Sequence, residues 1–97
     1  MAAYVLVEVE ITDPVRYAEY VKSVPPSIAR YGGRFVVRGG RAELLEGAGE
    51  PKRIVILEFA SVARAKEWWN CEEYRAPKAL RQSASTARII VVEGYEA

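Results

Sequence analysis

Glu58 is the residue most at odds with its surroundings. It interrupts an apolar run, Arg53 to Phe59 (Arg-Ile-Val-Ile-Leu-Glu-Phe), where an ionised carboxylate is costly without a partner. If the chain turns back around residues 47–51, Arg38 falls near Glu58 on the neighbouring strand, give or take a bulge at Gly39-Gly40. Such a pair offers a general base, Glu58, with Arg38 orienting an anionic substrate. The plainer alternative is a structural ion pair at a sheet end, or a link to a partner subunit. Tyr17, Tyr20, Tyr31 and Tyr74 combine an aromatic body with a hydroxyl. A phenol between helices and sheet could hold an aromatic ligand or protonate an enolate; packing with a satisfied hydroxyl is the alternative. Trp68 and Trp69 are adjacent, so on a helix they face different ways. One is expected in the core, the other at a pocket or a dimer edge. Arg81 could reach into a helix–sheet cleft and meet Glu58 or a ligand carboxylate, or form a surface pair with Glu72 or Glu73. The candidate site is therefore Glu58 and Arg38 as catalytic groups, with Tyr20, Trp69, Tyr74 and Arg81 binding a ligand.

Other chemistry is poorly supported. The chain has no histidine, which removes histidine acid–base catalysis, histidine-ligated haem and the common histidine metal sites. Its carboxylates are scattered, so no metal site is expected. Cys71 is the only cysteine; without a histidine it has no usual activating base and reads as an inert thiol. The glycines at 32, 33, 39 and 40 fit neither phosphate-binding pattern, so no nucleotide cofactor is expected, and no cofactor of another kind. Net charge is +1, from 14 basic and 13 acidic residues, which argues against nucleic acid as a partner. No apolar run approaches the ~20 residues needed to cross a bilayer. The single cysteine and the missing signal-like segment predict a cytoplasmic protein.

The elements that position these residues follow from periodicity. Tyr4 to Ile11 alternates as a strand, with Val5, Val7, Val9 and Ile11 on one face and Tyr4, Leu6, Glu8 and Glu10 on the other. Thr12-Asp13-Pro14 starts a helix, and Tyr17, Tyr20, Val21, Val24, Ile28 and Tyr31 form its apolar stripe. Pro25-Pro26 should kink it or split it in two. Gly32 should close it in a left-handed conformation. Arg34 to Arg38 is a second strand, with a continuation expected at Ala42 to Glu46. Arg53 to Phe59 is a third, apolar on both faces and so central. Ser61 caps a helix from Val62 to about Asn70; Cys71 to Ser85 is a further helix despite Pro77; Arg88 to Gly94 is the last strand.

Ninety-seven residues form one domain, 1–97. The order β-α-β-β-α-β predicts an α+β, ferredoxin-like fold. It is a four-stranded antiparallel sheet with both helices on one face and strands one and three in the middle. Strands three and four are apolar on both faces, so the second face needs a cover. A second copy of the same sheet is the simplest one. The expectation is a homodimer, a dimeric α/β barrel, burying on the order of 2,000 Å² or more if obligate.

The sequence also resembles the family catalogued as domain of unknown function 1330. The resemblance rests on Thr12-Asp13-Pro14, Tyr31-Gly32-Gly33-Arg34-Phe35, Arg38-Gly39-Gly40, Leu45-Glu46-Gly47, Glu58-Phe59, Glu73-Tyr74, Leu80-Arg81 and Val92-Glu93-Gly94. It spans nearly the whole chain; one departure is Cys71-Glu72, where members often carry Ser-Pro. It implies a small cytoplasmic protein of the dimeric α/β barrel class and no particular reaction. The wider relatives it implies include antibiotic-biosynthesis monooxygenases and muconolactone isomerases, an analogy at the level of fold. Two functions stay open: a cofactor-free enzyme or binder for a small conjugated or anionic metabolite, and a non-catalytic ligand-sensing or assembly module. An open cavity on which polar groups converge favours the first; a filled one favours the second.

Overall fold

Asp13 and Ser61 begin two helices in the same way. Each is extended and accepts a backbone N–H three residues on, Arg16 N to Asp13 Oδ1 at 3.1 Å and Arg64 N to Ser61 Oγ at 3.0 Å. The computed structural model describes residues 1–96. Its order is β1 (Ala3–Ile11), α1 (Pro14–Ser23), α2 (Pro25–Arg30), β2 (Arg34–Arg38), β3 (Arg53–Phe59), α3 (Val62–Trp69), α4 (Glu72–Ala84) and β4 (Ser85–Glu93). The strands are antiparallel in the order β2-β3-β1-β4. This is the expected ferredoxin-like sheet, with β1 and β3 central.

Pro25-Pro26 divides the first helical unit into α1 and α2, because a proline cannot donate the next bond of a continuing helix. Gly32, at φ +74, ends α2. Its N–H bonds Ala29 O at 3.0 Å and the Gly33 N–H bonds Ile28 O at 2.9 Å, the paired closure that a left-handed glycine permits.

Two elements differ from the sequence reading, whereas the helix expected over Cys71 to Ser85 forms as Glu72–Ala84. Residues 42–46 form no strand; they belong to an exposed connection between β2 and β3. The segment, Ala-Glu-Leu-Leu-Glu between Gly39-Gly40 and Gly47, pairs with no described strand. The helix α4 runs unbroken through Pro77, giving up the bond to the Glu73 carbonyl. Buried Tyr74, Arg81 and Ala84 anchor the helix on both sides of that gap, on one face. Finally, β4 starts at Ser85, directly after α4. Thr12 N and Asp13 N both bond Ala84 O, at 2.9 and 3.0 Å, tying this junction to the end of β1. Cys71 stands at the start of α4 with no side-chain capping bond, as a thiol in place of a hydroxyl leads one to expect.

The helices cover one face of the sheet. Val5, Val7 and Val9 of β1 and Val55, Leu57 and Phe59 of β3 point into them and are buried with Val24, Ile28, Ala65, Trp68 and Tyr74. Phe59, Trp68 and Tyr74 stack in a row, with ring centroids 5.5 and 4.2 Å apart. The Trp68 indole N–H reaches Ser27 Oγ at 3.1 Å, and that hydroxyl donates to Val24 O, so a buried polar pair is satisfied within the core. On the opposite face the register lines up Leu6, Ile56 and Ile90 across β1, β3 and β4. No described element packs on it, and Ile90 and Val92 remain 45% and 46% exposed.

Gly33 tests the core. A Cβ there would lie 2.5 Å from the Phe59 ring and 2.9 Å from Ile28 Cγ2, whereas a Cβ on Gly40 meets nothing within 4 Å. Gly33→Ala is expected to cost about 1–3 kcal/mol by overpacking, and Gly40→Ala less than about 0.5 kcal/mol. Urea unfolding of the two variants measures the contrast.

Candidate functional site

The two central strands alternate, so every second residue of β3 faces the helices. Arg53 is on that face with Val55 and Leu57, and Glu58 is on the other. In β2 a bulge falls between Phe35 and Val37. Arg34 pairs with Glu58 and Phe35 with Leu57, but Arg38 pairs with Val55. One extra residue turns Arg38 from the open face to the helix face. Arg34 and Arg38, four apart, would otherwise share a face.

The expected Glu58–Arg38 pair therefore does not form. Arg34 Nε meets Glu58 Oε1 at 2.6 Å, and Tyr4 OH donates to Glu58 Oε2 at 3.1 Å. This group lies on the open sheet face. The hydrogen bond to Glu58, with the negative charge beside it, pushes the Tyr4 phenol up from its ordinary value. The expected bulge at Gly39-Gly40 also lies elsewhere, at Val36. Gly39 instead has φ +71, donates to Ile54 O at 2.9 Å, and sits where a Cβ would collide with the Arg53 guanidinium. Close approach is what the glycine permits.

Between helices and sheet the structure does bring four predicted residues together. Tyr20, Arg38, Tyr74 and Arg81 line one cavity of about 30 Å³, room for about two water molecules. Tyr20 OH and Tyr74 OH are 3.1 Å apart. Arg38 Nη2 donates to Val21 O at 2.8 Å, and its Cζ is 4.1 Å from the centre of the Phe35 ring. Tyr17 and Arg53 also line the cavity, with Arg53 Cζ 5.6 Å from the Tyr17 ring. Among the described residues, three arginines and no carboxylate face this space. Among the described residues, the only buried side-chain nitrogen or oxygen atoms without a hydrogen-bond partner are Arg53 Nε and Arg81 Nε. Arg81 is 4% exposed and forms no ion pair among the described residues. A buried cation in that state favours any anion that can reach it.

Arg81 also lines a second, open cavity of about 290 Å³, with Trp69, Gln82, Ser85, Ala87 and Ile89. Trp69 thus stands just outside the inner cavity, its ring 5.9 Å from Tyr74 and 6.0 Å from Arg81 Cζ. Lys78 Nζ lies 4.3 Å from the Trp69 ring and donates to Trp69 O at 2.7 Å. Trp68 is the core member of the pair. Sequence reasoning missed Arg53 and Ile89 as lining residues. The signal for Arg53 was present, since it continues the 53, 55, 57, 59 alternation of β3. No group of three or more possible metal ligands occurs among the described residues, and no described helix is long and apolar enough to cross a membrane.

Burial holds the Tyr20 phenol well above its ordinary value of 10; the neighbouring Tyr74 adds to the shift and Arg81 opposes it. The phenol is thus a hydrogen-bond donor at neutral pH, not a phenolate base. A raised native value means that, above pH 10, the unfolded chain binds fewer protons than the folded one. Stability is then full below pH 10 and falls as pH rises, at up to about 1.4 kcal/mol per pH unit. Tyr20→Phe is expected to flatten this alkaline limb and to cost about 1 kcal/mol at neutral pH through the orphaned Tyr74 hydroxyl. Denaturant unfolding from neutral pH to pH ~11.5 measures both effects.

Comparison with solved structures gives the same fold. The protein RPA0582, of unknown function, from Rhodopseudomonas palustris superimposes with a TM-score of 0.81 at 24% identity, covering 99% of this chain and 84% of that one. Its methylated form gives 0.80, also at 24% identity, covering 98% and 82%. SnoaB, a cofactor-independent oxygenase from Streptomyces nogalater, gives 0.65 at 12% identity, covering 99% and 94%. The comparison with curated proteins found no match. A family model described as "Domain of unknown function (DUF1330)" matches residues 2–95, and the chain belongs to that family.

Proposed function

We propose that this protein is a homodimer that binds a small conjugated or anionic metabolite between its helices and sheet, as a cofactor-free enzyme or binder. The observation that carries the reading is the helix–sheet cavity itself: three guanidinium groups, no carboxylate and a hydrogen-bonded pair of phenols. In this reading Arg81 and Arg38 hold the negative charge of the ligand. Tyr20 donates a hydrogen bond, or a proton, to an oxygen on which charge develops. SnoaB's cofactor-independent oxygenase activity fits such a division of labour, in which the protein supplies only binding and charge stabilisation. Glu58 lies across the sheet from the cavity, so we assign it the structural role, holding Tyr4 and Arg34 on the open face.

The inner cavity, at about 30 Å³, favours the second reading in one respect. It is too small to enclose a whole metabolite, and an assembly module needs no cavity at all. The two separate on a panel of conjugated mono- and dicarboxylic acids screened by thermal unfolding. A true ligand at a hundredfold excess over its Kd adds about 2.7 kcal/mol. The expected outcome is a raised Tm for at least one acid, with the rise diminished in Tyr20→Phe. A panel that leaves Tm unmoved throughout overturns the binding reading in favour of the assembly module.

Homodimerisation through the open face is supported by the uncovered Leu6, Ile56 and Ile90 row. Burying it against a second copy is favourable at about 25 cal/mol per Å². Ile90→Glu is expected to convert a dimer to a monomer in light scattering. A wild-type chain that scatters as a monomer at high concentration overturns this part.

A further inference from the structure

The open cavity beside Arg81 does not end at Trp69. A third cavity of about 300 Å³ is lined by Val5, Ala65, Lys66, Trp68, Trp69, Ile89 and Val91. It shares Trp69 and Ile89 as walls with the cavity that holds Arg81. Ser85, Ala87, Ile89 and Val91 alternate along the helix-facing side of β4, so one strand floors both. At about 3.3 Å per residue that floor is roughly 20 Å long. Its walls past Trp69 are apolar apart from Lys66, an exposed side chain at the far end. Its near end carries the buried, unpartnered Nε of Arg81.

We infer that the ligand is an apolar monocarboxylate, an acyl or aryl acid, whose carboxylate meets Arg81 and whose body lies along Trp69 and Ile89 towards Ala65 and Val91. This deepens the proposed function and rests on its reading of the helix–sheet region as the ligand site. Size sets the division. The inner cavity admits a group of a few atoms, which suits a carboxylate and excludes the remainder of a metabolite. Arg81 lines both spaces and is therefore placed to hold the head while the body stays outside. Charge sets the polarity: the guanidinium has no internal counter-ion, so a carboxylate gains a charge-assisted bond there that an uncharged analogue does not. Apolar burial along the strand supplies the remaining affinity without specifying one chain.

Trp69 provides the readout. Decanoate, 4-phenylbutyrate and the amide of each are titrated into the full chain while tryptophan emission is followed. The expected result is a saturable change with both acids and binding about tenfold or more weaker with both amides, the factor of one bond to a charged group. Arg81→Gln should bring acid and amide to the same affinity, and Ala87→Phe, which fills the floor, should weaken both. If Arg81→Gln does not fold, the acid–amide contrast in the wild-type chain still decides. Equal binding of acid and amide overturns the assignment of the carboxylate to Arg81 while leaving a ligand site in place. Loss of the contrast in Lys66→Gln rather than Arg81→Gln reverses the ligand and overturns it too. No saturable change with any of the four, while another acid raises Tm in a Tyr20-dependent way, overturns this ligand class alone.

Discussion

A four-stranded sheet with all its helices on one side must place two kinds of surface back to back. Val5, Val7, Val9, Val55, Leu57 and Phe59 take the helix side and join Trp68 and Tyr74 in the core. Each intervening residue is thereby committed to the other side, because the side-chain period of a strand is two. This alternation decides which charged groups can ever meet. Glu58 sits between Leu57 and Phe59 and is driven to the open face; Arg53, two before Val55, is driven under the helices. The polar chemistry of the molecule is a consequence of how its valines pack.

The two faces consequently differ in their electrostatics. On the open face, carboxylate, guanidinium and phenol satisfy one another in the Glu58–Arg34–Tyr4 group, and part exposure keeps the arrangement inexpensive. Under the helices, guanidinium groups meet aromatic rings instead. Arg38 lies over Phe35, Arg53 faces Tyr17, and Arg81 faces Trp69. Ring faces attract cations weakly compared with a carboxylate, and they fill none of the hydrogen-bonding directions of a guanidinium. A fold that depended on these arginines only for stability would gain from an acidic neighbour. Its absence, with two buried Nε atoms left over, is what supports the proposal of an anionic ligand on the helix side.

Much of the fold was legible because it rests on strong local signals. The valine alternation of β1, the Asp13 and Ser61 caps, the proline pair and Gly32 each act through a single mechanism, and each element appears where its signal lies. The candidate site was legible only in part. Tyr20, Tyr74 and Arg81 converge because they sit on the inner stripes of α1 and α4, a periodicity visible in the sequence. The Glu58 partner was not visible, because the bulge at Val36 carries no glycine. The Gly39-Gly40 pair drew the irregularity three residues too late, and one residue of slip changes the face of everything beyond it. The strand expected at Ala42 to Glu46 is absent for a related reason. Strand propensity has nothing to act on where no neighbouring strand is present to pair with. The continuation of α4 through Pro77 shows tertiary anchoring by Tyr74 and Arg81 outweighing one lost backbone bond.

The absence of any connecting residue between α4 and β4 has a mechanical consequence. Ala84 ends the helix and Ser85 begins the strand, so Arg81 is one helical turn from a strand that it cannot move independently of. That strand has two sides with different duties. Ala87, Ile89 and Val91 look towards the helices, while Arg88, Ile90 and Val92 look the other way. A ligand of the kind proposed that shifted the helical end would also shift the outward row. Thermodynamic reciprocity then requires that whatever tightens contact on the outward row changes the occupant's hold by the same factor. Occupancy and self-association would then be two readings of one strand's position.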